Sequence, residues 1–464
     1  MSKKVLLINP NYLKVYKYLM SSDTTMVEAP IGLAYIAGML RHHDIDVQIL
    51  DLAGLQMDDP EAIAEVKRRK PDIVGLGAAT NTLLEAFNIA KFVKEVDPSI
   101  LVVLGGPHTS VYPARTLDEC PYVDIVVMQE AEHTFLEISQ GKALKDVLGI
   151  AYRSKGATKV NKPRPLLNDL DSLPFPARDL LPMHKYWSPG ISRPPGTTLL
   201  TSRGCPSECT FCVDHEIHGR AWRYRSAENV IAEIDHLVHD FGIREIDIVD
   251  DNFTLIQKRA MKICDYLIER KYDLVLKTGN GIRADRLSEP LVKKMAQAGF
   301  YLLAFGIESG NDEVLKTILK GESKVEIENA IHLCKKYGIK TEGFFMIGNE
   351  GENEKTMQET IDYAIKLDLD IAQFQIFTPL PGSEYAKKIA KEGKMYVNTW
   401  ADYNAYGKAI FEHGELTKEL MERMQKKAYR DYYMRPKMFV RQMKSIKNWK
   451  DLKANMGAAL AVLK

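Results

Sequence analysis

The sequence predicts an α/β protein with two alternating strand–helix regions and a helical C-terminal segment. Short β-branched runs alternate with amphipathic stretches at 1–145 and again at 196–385. The stretch between them is rich in proline and lacks periodicity, which is typical of a stiffened linker. We therefore predict a Rossmann-like doubly wound domain over 1–145, a linker over 146–195, a partial (β/α)6 TIM-type barrel over 196–385 and a helical cap over 386–464.

The first region contains five apolar runs that read as buried parallel strands. They are "KKVLLINP", "DVQILDL", "PDIVGLGA", "LVVLGGPH" and "VDIVVMQEAE". The segment "PIGLAYIAGMLRHH" between the first two is predicted to be a helix that begins near Pro30. Glycines follow the third and fourth runs, and open sheets of this class bind ligands at the carboxyl ends of their strands.

The second region contains six strand–helix units, beginning at "GTTLLTSRGC" and ending at "IAQFQIFTPLPGSE". A closed TIM barrel needs eight such units, so an open, partial barrel is expected. The first helix, "SAENVIAEIDHLVHDFG", carries Ser226 as a predicted N-cap and Gly242 as its stop.

Composition restricts the function classes. Of 464 residues, 45% are hydrophobic and 27% charged, and the formal net charge of +1 argues against a general nucleic-acid binder. The apolar run near the N-terminus is too short for a signal peptide, and no stretch reaches the length of a spanning helix. We therefore expect a cytoplasmic location, where cysteines serve metals or chemistry more often than disulfides.

Three of the six cysteines, Cys205, Cys209 and Cys212, lie within the stretch "RGCPSECTFCVDH", directly after a predicted barrel strand. The loop is short enough for their thiolates to converge on one metal centre, and thiolates are the usual ligands of iron–sulfur clusters. A Cys3His zinc site completed by His215 is the alternative. The remaining cysteines fit apolar core positions: Cys120, Cys264 and Cys334.

The C-x3-C-x2-C triplet, with Phe211 before its third cysteine, resembles the radical S-adenosylmethionine (radical SAM) superfamily. The resemblance extends over about 190 residues and implies that the three cysteines hold a 4Fe–4S cluster whose fourth iron binds SAM. It also implies SAM contacts from "VDDNFT", "GIESG" and the sixth strand. The residues implied are Asp250, Asp251, Asn252, Glu308, Ser309 and Phe377.

The first region resembles the cobalamin-binding domain fused to many radical SAM enzymes, through "PIGLAYIAGMLR", "DIVGLGAATNT" and "LVVLGGPHTS". The implied cobalamin contacts are Gly75, Thr80, Gly105, Gly106, Pro107 and His108. The Asp-x-His-x-x-Gly signature is absent, which implies that cobalt receives no histidine from that loop. The usual Gly-Glu-Gly-Glu stretch is replaced by Gln129, Glu130, Ala131 and Glu132. A Rossmann-like domain without a cofactor is the alternative.

These resemblances imply an enzyme that reductively cleaves SAM and modifies an unactivated carbon. Methyl transfer from methylcobalamin is the first expectation, and ring formation or rearrangement on a lipid or tetrapyrrole is the second. From another class, a zinc- or cobalamin-binding protein without catalysis remains open. The expected partners are a small-molecule or lipid substrate and an electron donor such as flavodoxin or ferredoxin. No residue is identified as a proton acceptor.

The segment from residue 415 to 464 is predicted to be helical and basic. It contains 13 Lys or Arg and five Asp or Glu residues, a net charge of +8. A face formed by Phe439, Met443, Ile446 and Trp449 can pack on the open side of the barrel, or lie on an anionic membrane. We predict the packed cap, with peripheral membrane contact as the alternative.

Overall fold

A computed structural model describes residues 3–16, 27–186, 191–404 and 408–445 of the chain. Two sheets organise these residues. A seven-stranded sheet occupies the N-terminal part, and a six-stranded sheet follows it.

The first sheet has the strand order β2-β1-β3-β4-β5-β6-β7. Its strands are β1 (Val5–Asn9), β2 (Val47–Asp51), β3 (Ile73–Gly77), β4 (Leu101–Gly105), β5 (Ile125–Val127), β6 (Ile150–Ser154) and β7 (Ala157–Val160). The first five are parallel, which confirms the predicted Rossmann-like arrangement. Neighbouring residues Leu6 and Leu7 belong to core clusters on opposite faces, as expected where helices cover both sides.

Helices connect these strands. They are α1 (Leu13–Tyr16), α2 (Ile31–His42), α3 (Leu52–Leu55), α4 (Asp59–Arg69), α5 (Leu83–Val96), α6 (Pro107–Val111), α7 (Pro113–Glu119) and α8 (Glu132–Ser139). Helix α2 follows Pro30 as predicted. Helix α4 begins at a capping box in which Asp58 and Glu61 each bind the other's backbone N–H, so two otherwise unpaired donors are satisfied.

Strands β6 and β7 form an antiparallel hairpin that sequence analysis did not identify. It pairs with β5 and lies inside the stretch expected to be linker. Only two residues of β6 and none of β7 are buried, so the hairpin lacks the apolar pattern of the other strands.

The second sheet has the order β15-β14-β13-β12-β11-β8, and every neighbouring pair is parallel. The strands of this region are β8 (Gly196–Leu199), β9 (Ser202–Arg203), β10 (Arg223–Tyr224), β11 (Glu245–Ile248), β12 (Val275–Ile282), β13 (Phe300–Glu308), β14 (Lys340–Ile347) and β15 (Ile371–Ile376). The short strands β9 and β10 form a separate antiparallel ribbon. The predicted six-stranded, open arrangement is confirmed.

Eight helices accompany this sheet in the described residues. They are α9 (Asp214–Ile217), α10 (Ala227–Phe241), α11 (Gln257–Arg270), α12 (Glu289–Gln297), α13 (Asp312–Thr317), α14 (Lys324–Lys336), α15 (Glu354–Leu367) and α16 (Glu384–Glu392). The predicted limits of α10 are confirmed: Ser226 accepts a bond from the N–H of Asn229, and Gly242 is left-handed with φ of +62°.

The proline-rich stretch is anchored to the second sheet by Arg178, whose side chain is 1% exposed. Its guanidinium donates to Glu233 Oε1 at 2.7 Å and to the carbonyl of Thr198 at 3.0 Å. Because this charge is buried and paired, this part of the proline-rich stretch is held against the barrel.

The C-terminal part contributes β16 (Lys394–Met395), β17 (Phe411–Glu412), α17 (Lys418–Tyr433) and α18 (Pro436–Ser445). Helix α17 packs on the edge strand β15. There the N–H of Ala372 donates to Tyr433 Oη at 3.0 Å and that of Phe374 to Tyr429 Oη at 3.2 Å. These tyrosines pair backbone groups that a sheet edge leaves open, so α17 is a packed cap.

The predicted face of Phe439, Met443, Ile446 and Trp449 lies outside the side chains that the structure describes. None of the helices in the described ranges has both the length and the apolar character needed to cross a bilayer.

Candidate active site

The loop with the three cysteines begins directly after β9. Cys205, Cys209 and Cys212 are half-buried and form no disulfide. Gly204 enters the loop with φ of +82°, and a Cβ at this position would lie 2.6 Å from the carbonyl oxygen of Ala221. The turn into the loop therefore requires glycine.

Two barrel helices hold the centre of this loop. The N–H of Thr210 donates to the carbonyl of Ile318 at 3.1 Å, and the carbonyl of Thr210 accepts from the N–H of Tyr385 at 2.9 Å. Phe211 packs against Ile318 and its neighbours Val314 and Leu315. The aromatic residue before the third cysteine thus fixes the loop by packing.

The donor set fits an iron–sulfur cluster by its chemistry, because one short loop carries three thiols and thiolates are the usual ligands of such clusters. Burial raises the pKa of Cys209, and the nearby cations Lys320 and Arg283 act in the opposite direction. Across the ranges that the structure describes, no three His, Cys, Asp or Glu side chains are arranged to hold a single metal ion. His215 is the residue that would complete the alternative zinc site, and its Nε2 lies 3.7 Å from Glu216 Oε1.

A buried ion network links this loop to the end of β13. Arg283 Nη1 donates to Ser207 Oγ at 2.9 Å and to the carbonyl of Lys320 at 3.0 Å. Lys320 Nζ lies 3.4 Å from both Glu308 Oε1 and Glu322 Oε2. Glu308 has a left-handed backbone with φ of +64°, which is rare outside glycine and is typical of functional sites. Burial raises the pKa of Glu308, and Lys320 opposes that change.

The three polar residues after β11 have different environments. Asp250 is fully bonded to the strand segment before the cysteines, accepting from the N–H and hydroxyl of Thr201 and from Ser202 Oγ. Burial and then repulsion by Asp214 raise the pKa of Asp251 to about 6. Asn252 is completely buried, and among the residues that the structure describes neither polar atom of its amide has a hydrogen-bond partner. Buried amides are normally paired, so Asn252 is the residue here that best fits a polar ligand.

Ser309 and Phe377 lie within the barrel wall. Ser309 Oγ bonds Thr360 Oγ1 at 3.1 Å. The Phe377 ring stacks on Tyr385 at 5.0 Å between centroids and meets Phe411 edge-on. Packing therefore accounts for both residues, and SAM contact by either one stays a prediction.

The predicted cobalamin residues gather at the carboxyl ends of β3 and β4. Gly106 has φ of +119°, and a Cβ there would lie 2.4 Å from the carbonyl oxygen of Ala78, so only glycine fits. Gly105 ends β4, and no atom lies closer than 3.8 Å to its Cβ position. Pro107 then starts α6.

His108 is 1% exposed, and its Nδ1 lies 3.2 Å from Thr80 Oγ1, so the structure brings these two predicted residues together. Its Nε2 is buried and has no hydrogen-bond partner within the described ranges of the chain. Burial lowers the pKa of His108 to about 4, which keeps the imidazole neutral at pH 7.

Gly75 is different, because it lies in the middle of β3. A Cβ at this position would lie 2.6 Å from Leu7 Cδ2 and 2.7 Å from Phe135 Cε2. Close packing between β3, β1 and α8 explains the glycine, and the predicted cobalamin contact has no separate support.

Trp400, from the C-terminal part, covers His108 and was not identified from sequence. The two rings meet edge-on with centroids 4.5 Å apart. Trp400 Nε1 donates to Glu119 Oε2 at 2.6 Å, and the Arg115 guanidinium lies 4.5 Å above its ring. A segment 292 positions away thus closes part of the strand-end face, and no local pattern signals such a contact.

Buried ion pairs join the first sheet to the cysteine loop. Arg203 Nη2 donates to Glu132 Oε1 at 2.5 Å, and Arg223 Nη1 lies 2.8 Å from Glu130 Oε1. Burial alone would raise the pKa of Glu130. His218, Arg203 and Arg223 outweigh this effect and hold the pKa of Glu130 at about 2. The stretch that replaces Gly-Glu-Gly-Glu therefore retains its two carboxylates as anchors for the second region.

Comparisons with known proteins agree with this architecture. The B12 binding domain family matches residues 22–139, and the Radical SAM superfamily matches residues 199–364. "Uncharacterized methyltransferase PH0819" of Pyrococcus horikoshii is 36% identical, over 89% of this chain and 89% of its own. The cytidylyl-2-hydroxyethylphosphonate methyltransferase of Streptomyces wedmorensis is 30% identical, over 84% of this chain and 82% of its own.

The fold is also that of a solved structure, the radical S-adenosylmethionine methyltransferase TsrM from Kitasatospora setae with cobalamin and a [4Fe-4S] cluster bound. The TM-score is 0.72 at 18% identity, covering 94% of this chain and 89% of that one. Taken with the two matched domains and the relatives above, this likeness identifies the chain as a member of the cobalamin-dependent radical SAM enzymes.

Proposed function

We propose that this enzyme transfers a methyl group from cobalamin to an unactivated carbon of its substrate. The observation that carries the proposal is the identity of 36% and 30% with two proteins named as methyltransferases, over 89% and 82% of their lengths. The proposal assigns cobalamin to residues 1–145 and SAM cleavage to residues 196–385, with the hairpin after residue 149 counted with the first sheet.

Three sets of residues are proposed to hold the cofactors. Cys205, Cys209 and Cys212 would ligate the cluster. Asn252 and Glu308 would contact SAM, together with Asp251, since all three lie near the cysteine loop at strand ends. The edge from Gly105 to His108, with Thr80, would contact cobalamin. When bound, the cluster supplies the electron that cleaves SAM, and cobalamin supplies the methyl group.

The chain's own contribution is positioning. Arg203 and Arg223 pair with Glu132 and Glu130 of the first region, so buried ion pairs hold the start of the cysteine loop against the proposed cobalamin domain. The amide of Asn252 and Nε2 of His108, both buried without a partner in the described residues, support ligand binding at the proposed SAM and cobalamin sites. A radical SAM enzyme needs a reductant, and we propose a flavodoxin or ferredoxin in the cytoplasm.

The test uses the full chain, reconstituted anaerobically with iron, sulfide and cobalamin. It is incubated with a low-potential reductant, SAM carrying a trideuterated methyl group, and small-molecule extract of the source cells. For each turnover, one substrate C–H, two SAM and two electrons should give the methylated product, methionine, 5′-deoxyadenosine and S-adenosylhomocysteine. A product with a new labelled methyl group supports the proposal. Formation of 5′-deoxyadenosine with an unlabelled, cyclised or rearranged product would instead support the cyclase alternative.

A further inference from the structure

The interior of the second sheet carries a row of charged and polar side chains. Asp247 on β11 pairs in register with Thr198 on β8 and with Lys277 on β12. Register partners in a parallel sheet point to the same side, so these three share one face. Glu342 on β14 interacts electrostatically with Lys277 and Asp247, which places it at the same interior.

A cavity beside this row is lined in part by the segment 27–29 of the first region. Glu28, Thr198, Asp247 and Lys277 are among its lining residues. Glu28 also interacts electrostatically with Asp247 and Lys277. Three carboxylates and one ammonium group therefore share this interior space.

Lys277 already pairs with neighbouring carboxylates. Lys277 Nζ lies 3.4 Å from Asp247 Oδ2 and 3.8 Å from Glu245 Oε1. Asp247 Oδ1 accepts from the N–H of Gly279 at 2.6 Å. Glu245 is further satisfied by Tyr301 Oη at 2.8 Å and by backbone N–H groups of the linker.

Glu28 and Glu342 lack such neutralisation. In the described part of the chain, neither carboxylate has a cationic nitrogen within 4.0 Å, and Glu342 accepts only from Gln373 Nε2, at 2.6 Å. Burial raises the pKa of both carboxyl groups, and repulsion by Asp247 adds to it. Thr198 is 7% exposed, and its buried Oγ1 has no partner in the part of the chain that the structure describes. Two half-buried carboxylates with no cation within 4.0 Å, beside the buried Thr198 hydroxyl, point to a ligand that brings hydrogen-bond donors and positive charge.

We propose that this interior binds a positively charged nitrogen of the substrate, an amine or guanidinium group, with Glu28, Glu342 and Thr198 as acceptors. The inference rests on the proposed function, from which it takes that the substrate enters the barrel. Asp247 precedes Asp250 by three residues, about 10 Å along a strand. The cationic end therefore lies deep in the barrel, and the rest of the substrate extends toward the strand ends with Asn252 and Glu308. An anionic phosphonate in this position would be repelled.

The test measures ligand binding to the reconstituted full-length protein by calorimetry at low ionic strength. The probes are phenethylamine, 3-phenylpropionate and 2-phenylethanol, which present a similar ring with a cationic, anionic or neutral end. We expect phenethylamine to bind about tenfold or more tightly than either of the others, as a charge-assisted bond would give. Equal or tighter binding of the acid or the alcohol would overturn the inference, as would no binding of any probe at millimolar concentration.

Variants locate the site. Glu28→Gln and Glu342→Gln should each weaken phenethylamine binding about tenfold and leave 2-phenylethanol binding unchanged, whereas Glu228→Gln, at an exposed position on α10, should change neither. Unchanged amine binding in both interior variants would refute the assignment, and the comparison of probes on the unmodified protein stands even where a variant fails to fold.

This measurement is independent of methyl transfer. Failure of the labelling experiment leaves the binding result intact. A labelled product whose parent substrate has an anionic end and no basic nitrogen would refute the cation site while supporting methyl transfer.

Discussion

Arg203 and Glu132 form a buried ion pair, with Arg203 Nη2 2.5 Å from Glu132 Oε1, between the strand that enters the cysteine loop and the first helical turn after β5. Their side chains are 6% and 8% exposed. The pair therefore fixes the predicted cluster loop directly to the predicted cobalamin domain.

Glu132→Gln should leave the Arg203 charge buried with only the longer contact to Glu130, at 3.4 Å. Breaking a buried pair in this way costs about 3 kcal/mol of unfolding free energy. We expect a lower melting temperature, and methyl transfer reduced more than SAM cleavage because the two cofactor edges lose their alignment. Asp179→Asn is the control, since it removes an exposed pair with Arg41 and should cost less than about 1 kcal/mol. Equal effects of the two variants would contradict a positioning role.

The cysteine triplet gives a prediction in which folding and cluster assembly separate. Cys209→Ala should yield a protein with an unchanged melting temperature before reconstitution, because the side chain is half-buried in a loop. After reconstitution it should lack the visible absorption of a 4Fe–4S cluster and release no 5′-deoxyadenosine. The control Cys334→Ala, at a buried position on α14, should keep both the cluster absorption and the release of 5′-deoxyadenosine. Cluster assembly and SAM cleavage in Cys209→Ala would refute the ligand assignment.

Asn252 gives a prediction in which stability and binding move in opposite directions. Its amide is completely buried and has no partner among the described residues, so Asn252→Leu removes a desolvation penalty of about 1 kcal/mol or more. The free variant should be at least as stable as the parent, whereas SAM binding, measured by equilibrium dialysis on reconstituted protein, should weaken at least tenfold. Unimpaired SAM binding would show that Asn252 faces the core only.

The prediction from sequence succeeds where burial imposes a local period. The runs that form β1, β3 and β4 are almost free of polar residues because helices cover both faces. Ser226 and Gly242 indicate the ends of α10, since one caps the helix and the other is left-handed. The hairpin of β6 and β7 was missed because one of its strands has no buried residue. Its pairing depends on the free edge of β5, which is a tertiary property.

The site was predicted less completely than the fold. The cysteine spacing is local and distinctive, so the cluster loop could be located. The pair of Arg203 with Glu132 joins residues 71 positions apart, and the contact of Trp400 with His108 is longer still. Such contacts form when whole elements pack together, and no residue pattern near either partner predicts them.

His108 gives a pH prediction. Burial lowers its pKa from 6.5 to about 4 in the folded protein. Because the unfolded chain binds the proton first, stability is unaffected above pH 6.5 and falls as the pH drops from 6.5 toward 4, by about 3 kcal/mol at the lower limit. His108→Gln should reduce this acid-dependent loss, measured as melting temperature against pH. An acid profile in His108→Gln identical to that of the parent would contradict the lowered pKa.

The last prediction concerns the C-terminal helices, for which a packed cap and a membrane contact predict different effects of truncation. Met438 is 1% exposed, and Arg441 Nη1 donates to the carbonyl of Leu369 at 2.5 Å, so α18 belongs to the barrel wall. Ending the chain after Arg435 should therefore lower the melting temperature and impair SAM cleavage. The exposed basic residues instead favour anionic lipid, by about 1 kcal/mol for each one near the surface.

A second truncation, after Ser445, keeps α18 and so distinguishes the packed cap from the membrane contact. If the cap is the main role, this shorter deletion should retain most of the melting temperature and SAM cleavage that the longer one loses. Sedimentation of both truncations with phosphatidylserine vesicles in low salt measures the lipid contribution. A chain ending at Arg435 that melts and cleaves SAM normally, but no longer sediments with vesicles, would overturn the packed cap and point to a membrane-bound substrate.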